Sequence, residues 1–459
     1  MSERTKPDSK KIIQLLLTLI LPAIILLVRP LGMDLRQSGV LAAFLLTILW
    51  WVTGVVERTI ASVFLLAVFL VFSVAPAKTV FSFPISENFL MIACSFLFSQ
   101  GIGNSGLADK LLGPVLDRFG RTVPRLLALM ICSGAVMIFV IPQPFSRIII
   151  LALIYSSYFD RIGLDKQLKS VLMFALYLFT VLLNLTMVRS DIILSNTLMA
   201  MAETEVPEQT WIAYMTVPTL AYLALSAVLF SLVFRKTLKY YPKREAGAAE
   251  KPVALRLSGE EKRNLAFVGA IVALWATEEL HGVSGTIIIL AATALMFPLG
   301  MLRWEDRKAL DVKLLVFLTA AFSIGGSLKA CGVADVVFSV FAGIFPGEFS
   351  WTYIMLAAVT SMLVHMVLGS DITTMSVVVP GLMTIGAGVA PALPLLFLIY
   401  TTVCSHFLLP FHHVVIMIGN GKGYYSMKEL VRYGAPHTAL MLFSLFALYL
   451  PWWKLLGFL

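Results

Sequence analysis

Apolar runs follow one another along nearly the whole chain, and this pattern restricts the protein to folds that lipid can surround. Runs that extend to about 20 residues predict membrane-spanning helices, and shorter ones predict broken or re-entrant segments. Only 13% of the 459 residues are charged, against about 25% in soluble domains. The runs are Ile12–Val28, Leu41–Trp51, Ala61–Val74, Phe89–Phe98, Leu126–Ile141, Val171–Leu185, Leu220–Phe234, Leu265–Trp275, Ile287–Phe297, Leu314–Ile324, Tyr353–Leu368, Leu395–Val403 and Leu440–Trp452. We predict an all-α polytopic membrane protein with about 11 transmembrane helices plus two re-entrant hairpins.

The net charge of +9 is concentrated at the N-terminus and in the segment Arg235–Arg263. The positive-inside rule places both segments in the cytoplasm. The first run, Ile12–Val28, follows a basic start and has no small-residue cleavage site before Arg29, so we expect it to be retained as a span. We predict a multi-pass protein of the cell inner (cytoplasmic) membrane with a cytoplasmic N-terminus. Membrane topology alone explains the positive charge of Arg235–Arg263, so we do not expect nucleic acid as a partner. The lipid bilayer is an expected partner, because the apolar runs need lipid around them.

Three short segments recur at a nearly constant spacing, which predicts an internal repeat. Repeats related by an odd number of spans imply inverted topology with a binding site between them. We divide the chain into residues 1–38 with the first helix, a first inverted repeat 39–234, a basic cytoplasmic linker 235–264 and a second inverted repeat 265–459. The matches are Trp51–Thr53 with Trp275–Thr277, Gly106–Asp109 with Gly332–Asp335, and Ile192–Asn196 with Ile416–Asn420, at offsets of 224, 226 and 224 residues.

Each repeat contains a pair of apolar runs separated by a short interruption, and the lengths of the first pair, Leu126–Ile141 and Ile148–Tyr155, suit helices that enter and return without crossing. The first pair is interrupted at Pro142–Arg147, and the matching interruption is Gly369–Thr374. The helix ends at such tips present backbone N–H groups that hydrocarbon cannot solvate, and these groups suit an anion. We therefore expect the two tips to carry part of a binding site.

A second interruption follows each predicted hairpin, at Asn184–Asp191 and at His406–His413. Pro410 removes a backbone donor and disfavours a continuous helix. Ionisable groups at membrane depth are functional candidates. The predicted substrate-binding residues are Ser146, Arg147, Ser370, Asp371, Thr373, Thr374, Pro410 and His412, and the predicted charge-balancing residues are Arg147, Arg189, His412 and His413.

Two further segments carry distinctive residues: Leu274–Gly282 reads Leu-Trp-Ala-Thr-Glu-Glu-Leu-His-Gly, and Leu409–Met427 begins with Leu-Pro-Phe-His-His. The first resembles the Trp-x-Thr-Glu-x-Leu-His-Gly signature that opens the second repeat of the divalent anion/sodium symporter family, and the second resembles that family's last broken helix and the turn that follows. The resemblance extends over essentially the whole chain. It implies an elevator-like homodimer that carries a small dianion, with Ser-Asn-Thr at each hairpin tip contacting a substrate carboxylate and framing a sodium site.

The tips of this chain depart from that motif. The second tip reads Ser370-Asp371-Ile372 and the first reads Pro144-Phe145-Ser146, while the triplet Ser195–Thr197 lies one element beyond the first hairpin. No cofactor is expected apart from a possible sodium ion, whose motif is eroded. Arg147 and Arg189 could supply fixed positive charge in place of sodium, which favours an exchanger.

Structural roles are the alternatives for the same residues. Arg147 could pair with a buried acid such as Asp371, Arg189 could pair with Asp191, and His365 reads as an ordinary core histidine.

The predicted function is secondary active transport of small divalent organic anions (di- and tricarboxylates) by alternating access, as an exchanger or a cation-coupled symporter. A proton-coupled carrier using His412, His413 or Asp371, an inorganic dianion (sulfate or thiosulfate) transporter and an anion channel are the alternatives. An enzyme is not expected, because the sequence has no HExxH, GxSxG or Cys/His cluster.

Overall fold

The computed structural model describes residues 9–106, 114–140, 144–242, 257–310, 312–336 and 343–459, and within these ranges the chain is helical with no β-strand. The tip residues Pro142 and Gln143 and residues 243–256 of the predicted linker lie outside them. The main helices are α1 (Ser9–Val28), α2 (Leu35–Thr53), α3 (Arg58–Phe72), α4 (Glu87–Asn104), α5 (Val123–Val140), α6 (Pro144–Arg161), α7 (Lys166–Leu183), α8 (Ile192–Met201), α9 (Glu208–Val233), α10 (Gly259–Ala276), α11 (Gly285–Met296), α12 (Val312–Ala330), α13 (Trp351–Leu368), α14 (Asp371–Gly386), α15 (Ala392–Ser405), α16 (Val414–Gly421) and α17 (Met427–Ser444).

Five helices in the described ranges are long and apolar enough to cross a membrane by length and composition. They are α7, α9, α12, α13 and the 29-residue segment Met427–Leu455, in which α17 widens into a π-helical turn at Leu445–Tyr449 and continues to Leu455. Shorter apolar helices make up most of the remainder. The predicted fold class, an all-α polytopic membrane protein, is confirmed.

Several helix starts carry the capping residues that free N–H groups require. Asp34 accepts from the backbone of Gln37 at the start of α2, and Ser258 and Glu261 form a reciprocal capping box at the start of α10. Such caps satisfy donors that a helix cannot bond internally. The capping residues that set where α10 begins therefore lie within the predicted linker 235–264, whose last six residues belong to this helix.

The order of helices recurs along the chain. Helices α2 to α9 are followed by α10 to α17, and each helix of the second set begins between 219 and 228 residues after its counterpart. In both sets the seventh helix is short and follows an interruption: α8 has 10 residues and α16 has 8.

The chain forms two compact units, and the first combines Met1–Ser86 with Asp311–Ala390. In this unit α1 packs against α2, α3 packs against α12, and α13 and α14 form a hairpin that contacts α12. Aromatic contacts join the two segments: Phe83 stacks on Phe322 at 4.7 Å and Trp51 meets Phe317 edge-on at 4.7 Å.

The second unit combines Glu87–Leu310 with Pro391–Leu459. Its centre is α7, in which every side chain from Val171 to Leu183 is buried. Helices α5, α6, α9, α15, α16 and α17 pack against α7. An apolar helix buried on all sides is held by protein rather than by lipid, so the interruption that follows α7 lies in the interior of this unit.

Candidate functional site

The first interruption separates α7 from α8 in the second unit, where the structure confirms a break at the predicted place. α7 ends at Leu183, a single helical turn occupies Val188–Ser190, and α8 begins at Ile192. The indole Nε1 of Trp211 donates to the Leu185 carbonyl (3.2 Å), and the Thr216 hydroxyl donates to the Thr186 carbonyl (2.8 Å). Side chains of α9 thus satisfy carbonyls that the interrupted helix leaves without an internal partner.

A buried polar cluster around Arg147 holds this interruption to α6. The Arg147 guanidinium is 1% exposed and donates from Nη2 to Asn184 Oδ1 and to the Ser190 carbonyl, both at 2.6 Å. Asn184 Nδ2 donates to Asp191 Oδ2 at 3.0 Å, and the Asp191 carboxylate interacts electrostatically with Arg147. Charge-assisted bonds of this kind are stronger than neutral ones. The cluster therefore links the start of α6 to both sides of the break and carries balanced charge.

The start of α8 is fixed by the same segment. Asp191 Oδ1 accepts from the Leu194 N–H at 3.2 Å, and the Ser195 hydroxyl donates to the carbonyls of Val188 and Asp191 at 3.0 and 2.8 Å. An acidic N-cap also complements the positive end of a helix. Asp191 therefore has two roles, as a helix cap and as the counter-charge of Arg147.

Thr216→Val is expected to lower the free energy of unfolding by about 1–3 kcal/mol, because it leaves the Thr186 carbonyl without a buried donor. Thr197→Val is the matched control. The Thr197 hydroxyl donates to the Ile193 carbonyl four residues earlier on α8, so we expect a change of at most about 0.5 kcal/mol. Denaturant titration of both variants in the same detergent measures the difference; equal values for the two would show that the α9 contact does not support the break.

The second interruption lies between α15 and α16, also in the second unit and also where the sequence places it. Pro410–His412 forms a helical turn between Ser405 and Val414. The N–H groups of Leu408 and Leu409 donate to His412 Nδ1 at 3.2 and 3.4 Å. The Val415 N–H donates to His413 Nδ1 at 3.2 Å, so His413 caps α16 as Asp191 caps α8.

These hydrogen bonds determine whether Nδ1 of each imidazole carries a proton. A backbone N–H can only donate, so Nδ1 of His412 and of His413 acts as an acceptor and carries no proton. Protonating either ring to a cation would replace that acceptor by a donor. In this conformation the two predicted charge-balancing histidines are neutral.

Helix α17 approaches the second interruption closely at Gly434. A Cβ at this position would lie 2.7 Å from the Phe407 carbonyl oxygen and 3.1 Å from Leu408 Cα, both backbone atoms. Only glycine therefore allows α17 to pack directly on the interrupted segment.

The second hairpin tip belongs to the first unit. α13 ends at Leu368 and is capped by Gly369 in the left-handed conformation (φ 66°), Ser370 is extended, and α14 begins at Asp371. Asp371 Oδ1 lies 3.5 Å from His365 Nε2, and both side chains are buried. The buried Thr374 hydroxyl has no hydrogen-bond partner within the described part of the chain. Such a hydroxyl can coordinate sodium through its oxygen or donate its proton to a carboxylate oxygen.

The predicted site residues are distributed over both units. Arg147, Arg189, His412 and His413 lie in the second unit, and Ser370, Asp371 and Thr374 lie in the first. The side chains of Ser146, Thr373 and Pro410 lie outside the described residues. Among those that are described, no group of three or more His, Cys, Asp or Glu side chains could hold a metal ion.

The suggested pair of Arg189 with Asp191 is wrong. Arg189 Nε lies 3.6 Å from Glu208 Oε1 at the start of α9, and Asp191 belongs to the Arg147 cluster. Arg189 and Asp191 are two positions apart in a tight turn, which directs their side chains to different partners. Similarly, Arg147 has Asp191 as its acid, and Asp371 has His365.

Three residues outside the predicted site support it: Trp211, Thr216 and Asn184. Asn184 could have been identified, because an amide inside a long apolar run needs a polar partner. Trp211 and Thr216 show no such signal, since both residue types are common in apolar helices.

Comparison with known proteins identifies the family of the chain. A family model described as the sodium:sulfate symporter transmembrane region matches residues 9–459. The chain is also 23% identical to dicarboxylate transporter 2.2, chloroplastic, of Arabidopsis thaliana, in an alignment that covers 94% of this chain and 82% of that relative. Since the family model extends from the first helix to the last residue, the protein belongs to the divalent anion/sodium symporter family, as its sequence motifs predicted.

Proposed function

We propose that the protein is a secondary active transporter of small divalent organic anions, such as dicarboxylates, and that it works by alternating access. Family membership supports anion transport, and the name of the plant relative supports dicarboxylates. The observation that carries the proposal is the pair of interrupted helices, α7–α8 and α15–α16, within one unit, where α16 packs against α6 and α7. Irregular backbone at membrane depth is tolerated where it is buried in protein or lines a polar cavity, and transporters use it to bind substrates.

Charge balance favours exchange. In the described part of the two interruptions and of the helices beside them, Arg147 faces Asp191, Arg189 faces Glu208, and His412 and His413 are neutral acceptors. Fixed cations therefore do not offset a dianion there, which weakens the suggestion that arginines replace sodium. Moving a dianion through about 100 mV involves about 4.6 kcal/mol, twice the roughly 2.3 kcal/mol per charge. A second dianion moving the other way removes that cost without a sodium site.

Counterflow tests this proposal. Proteoliposomes loaded with unlabelled succinate are expected to accumulate labelled succinate from a medium in which choline replaces sodium, whereas unloaded proteoliposomes and protein-free liposomes are not. The same assay with sodium outside is expected to give the same initial rate, because exchange needs no co-ion.

Other outcomes identify the alternatives. Uptake that needs sodium, with no counterflow, indicates symport; counterflow of sulfate or thiosulfate but not succinate indicates an inorganic dianion carrier; single-channel currents indicate a channel.

A proton-coupled carrier is the second candidate, favoured by one observation. Asp371 replaces the asparagine of the family motif and lies 3.5 Å from the buried His365 at the tip of the α13–α14 hairpin. Such a pair could bind a proton where relatives bind sodium. Uptake into unloaded vesicles driven by an imposed pH gradient, and lost in Asp371→Asn, would favour this mechanism over exchange.

We also propose that residues 39–234 and 265–459 are inverted repeats, that the N-terminus is cytoplasmic, and that the transporter is a homodimer moving by an elevator mechanism. The recurrence of α2–α9 as α10–α17 supports the repeats. The basic segments support the orientation. The dimer is supported by family resemblance, and crosslinking in membranes tests it.

A further inference from the structure

A surface cavity of about 620 Å³ lies in the second unit, and none of its lining residues belongs to either interruption. This volume falls in the range of roughly 300–1,000 Å³ that is common for small-molecule sites. Its walls are of two kinds, three arginines and four residues without charge. The arginines are Arg118, Arg121 and Arg125, and the others are Phe119, Ala128, Leu129 and Cys132.

The cavity has an excess of positive charge. No carboxylate in the described ranges pairs with any of the three arginines, whereas the neighbouring Asp117 is bound by Arg161 at 3.2 Å. Arg121 Nε donates to the Asp117 carbonyl, and the Arg118 guanidinium lies over its neighbour's ring, Phe119. Guanidinium groups bind phosphate oxygens in a bidentate manner, so three of them with no paired carboxylate in the described ranges form a candidate site for a phosphate group.

The turn that presents two of these arginines is held in place. Gly120 allows a tight approach, because a Cβ there would lie 2.5 Å from the Leu116 carbonyl. The Tyr158 hydroxyl donates to that carbonyl at 3.3 Å, and the Tyr241 hydroxyl donates to the Gly120 carbonyl at 2.5 Å. Arg118 and Arg121 therefore flank an anchored turn.

The uncharged wall continues along one face of α5. Arg125, Ala128, Leu129 and Cys132 follow the spacing i, i+3, i+4 and i+7, which places them on one side of the helix over about 10 Å. The same face continues to Val136 and Phe139, which are 62% and 58% exposed. The cavity thus leads from guanidinium groups onto an apolar helix face.

The positive end of the cavity lies on the side of the chain where α9 ends. Tyr241, which bonds to Gly120, follows α9 by eight residues and lies in the basic segment Arg235–Arg263. The positive-inside rule assigns this side to the cytoplasm, where anionic lipids give the leaflet its negative potential.

We propose that this cavity binds an anionic phospholipid of the cytoplasmic leaflet, with its phosphate between Arg118, Arg121 and Arg125 and an acyl chain along the Ala128–Cys132 face of α5. A soluble phosphate ion would use the arginines but leave the apolar wall uncovered. A zwitterionic lipid would cover the wall, but its phosphate carries an attached cationic group that would be repelled by the three arginines. An anionic lipid matches both walls.

Cys132 allows a direct test on the unmodified protein. It is exposed, whereas Cys94, Cys331 and Cys404 are buried. In detergent micelles, phosphatidylglycerol is expected to slow the reaction of Cys132 with a small maleimide at least about fivefold. A factor of about five corresponds to about 1 kcal/mol, the attraction between anionic lipid and one neighbouring basic residue. Phosphatidylcholine and inorganic phosphate are expected to leave the rate unchanged. Native mass spectrometry counts the retained lipid in parallel.

Two matched triple variants distinguish lipid binding at the cavity from a general attraction of anionic lipid to positive charge. Arg118→Gln/Arg121→Gln/Arg125→Gln is expected to lose both the protection and the retained phosphatidylglycerol. Lys236→Gln/Lys239→Gln/Lys262→Gln removes the same charge from residues that do not line the cavity and is expected to retain both.

Ala128→Trp fills the apolar wall without changing charge and is expected to reduce the retention of phosphatidylglycerol. If the triple arginine variant aggregates, this variant alone tests whether the cavity binds the lipid. Equal protection by the two lipids, protection by inorganic phosphate alone, equal losses in both triple variants, or full retention in Ala128→Trp would overturn the proposal. None of these readouts depends on transport, so their failure leaves the proposed transport function unaffected.

Discussion

Arg147→Met is expected to lower the free energy of unfolding by about 3–5 kcal/mol, the usual cost of removing one partner of a buried ion pair. The substitution keeps most of the side-chain volume but leaves the Asp191 carboxylate and the Ser190 carbonyl in the interior without the guanidinium. Unfolding followed by tryptophan fluorescence during denaturant titration in detergent measures the loss. We also expect counterflow activity to disappear, because the break between α7 and α8 loses its link to α6.

Two further variants make this prediction specific. Arg161→Met removes an exposed arginine that pairs with Asp117, both 42% exposed, and is expected to cost at most about 1 kcal/mol. Arg147→Met/Asp191→Asn removes both buried charges and is expected to recover most of the stability. If Arg147→Met were as stable as the parent and lost only transport, Arg147 would face the substrate rather than support the break.

Gly434→Val is expected to destabilise the protein by about 3 kcal/mol, the upper end of the usual cost of overpacking. The new side chain would meet the backbone of Phe407 and Leu408, which cannot move away without displacing the second interruption. Transport is therefore expected to fall more than stability alone would explain. The same denaturant titration and the counterflow assay measure the two effects.

The control for this prediction is Gly269→Val on α10. Gly269 also lies within a helix, but a Cβ there meets no atom within 4 Å, so we expect little change in either stability or transport. Comparable losses in both variants would mean that valine harms helices of this protein generally, and that the close approach of α17 is unimportant.

Much of the fold could be predicted because polar residues and proline stand out against an apolar background. The predicted interruptions Asn184–Asp191 and His406–His413 coincide with the gaps between α7 and α8 and between α15 and α16. The predicted second tip coincides with the left-handed Gly369 between α13 and α14. In each case the cost of exposing free backbone groups to lipid decides where a helix can stop.

The partners of these residues could not be predicted in the same way. Arg147 bonds to Asn184 and Ser190, 37 and 43 residues away, and the choice between Asp191 and Asp371 as its acid depends on tertiary packing. His365 reads as an ordinary core histidine because its acid, Asp371, lies beyond a helix end. Turns bring together groups that helical spacing keeps apart.

The carbonyls of Leu185 and Thr186 have a consequence for how the protein is made. Their donors, Trp211 and Thr216, belong to the next long helix, which the ribosome completes only after α7 and α8 have emerged. Until α9 arrives, this stretch cannot complete its backbone bonding in lipid. The second interruption differs, because His412 and His413 accept from their own neighbours. Membrane insertion of the first interruption therefore depends on synthesis of α9, whereas the second carries these backbone bonds within its own segment.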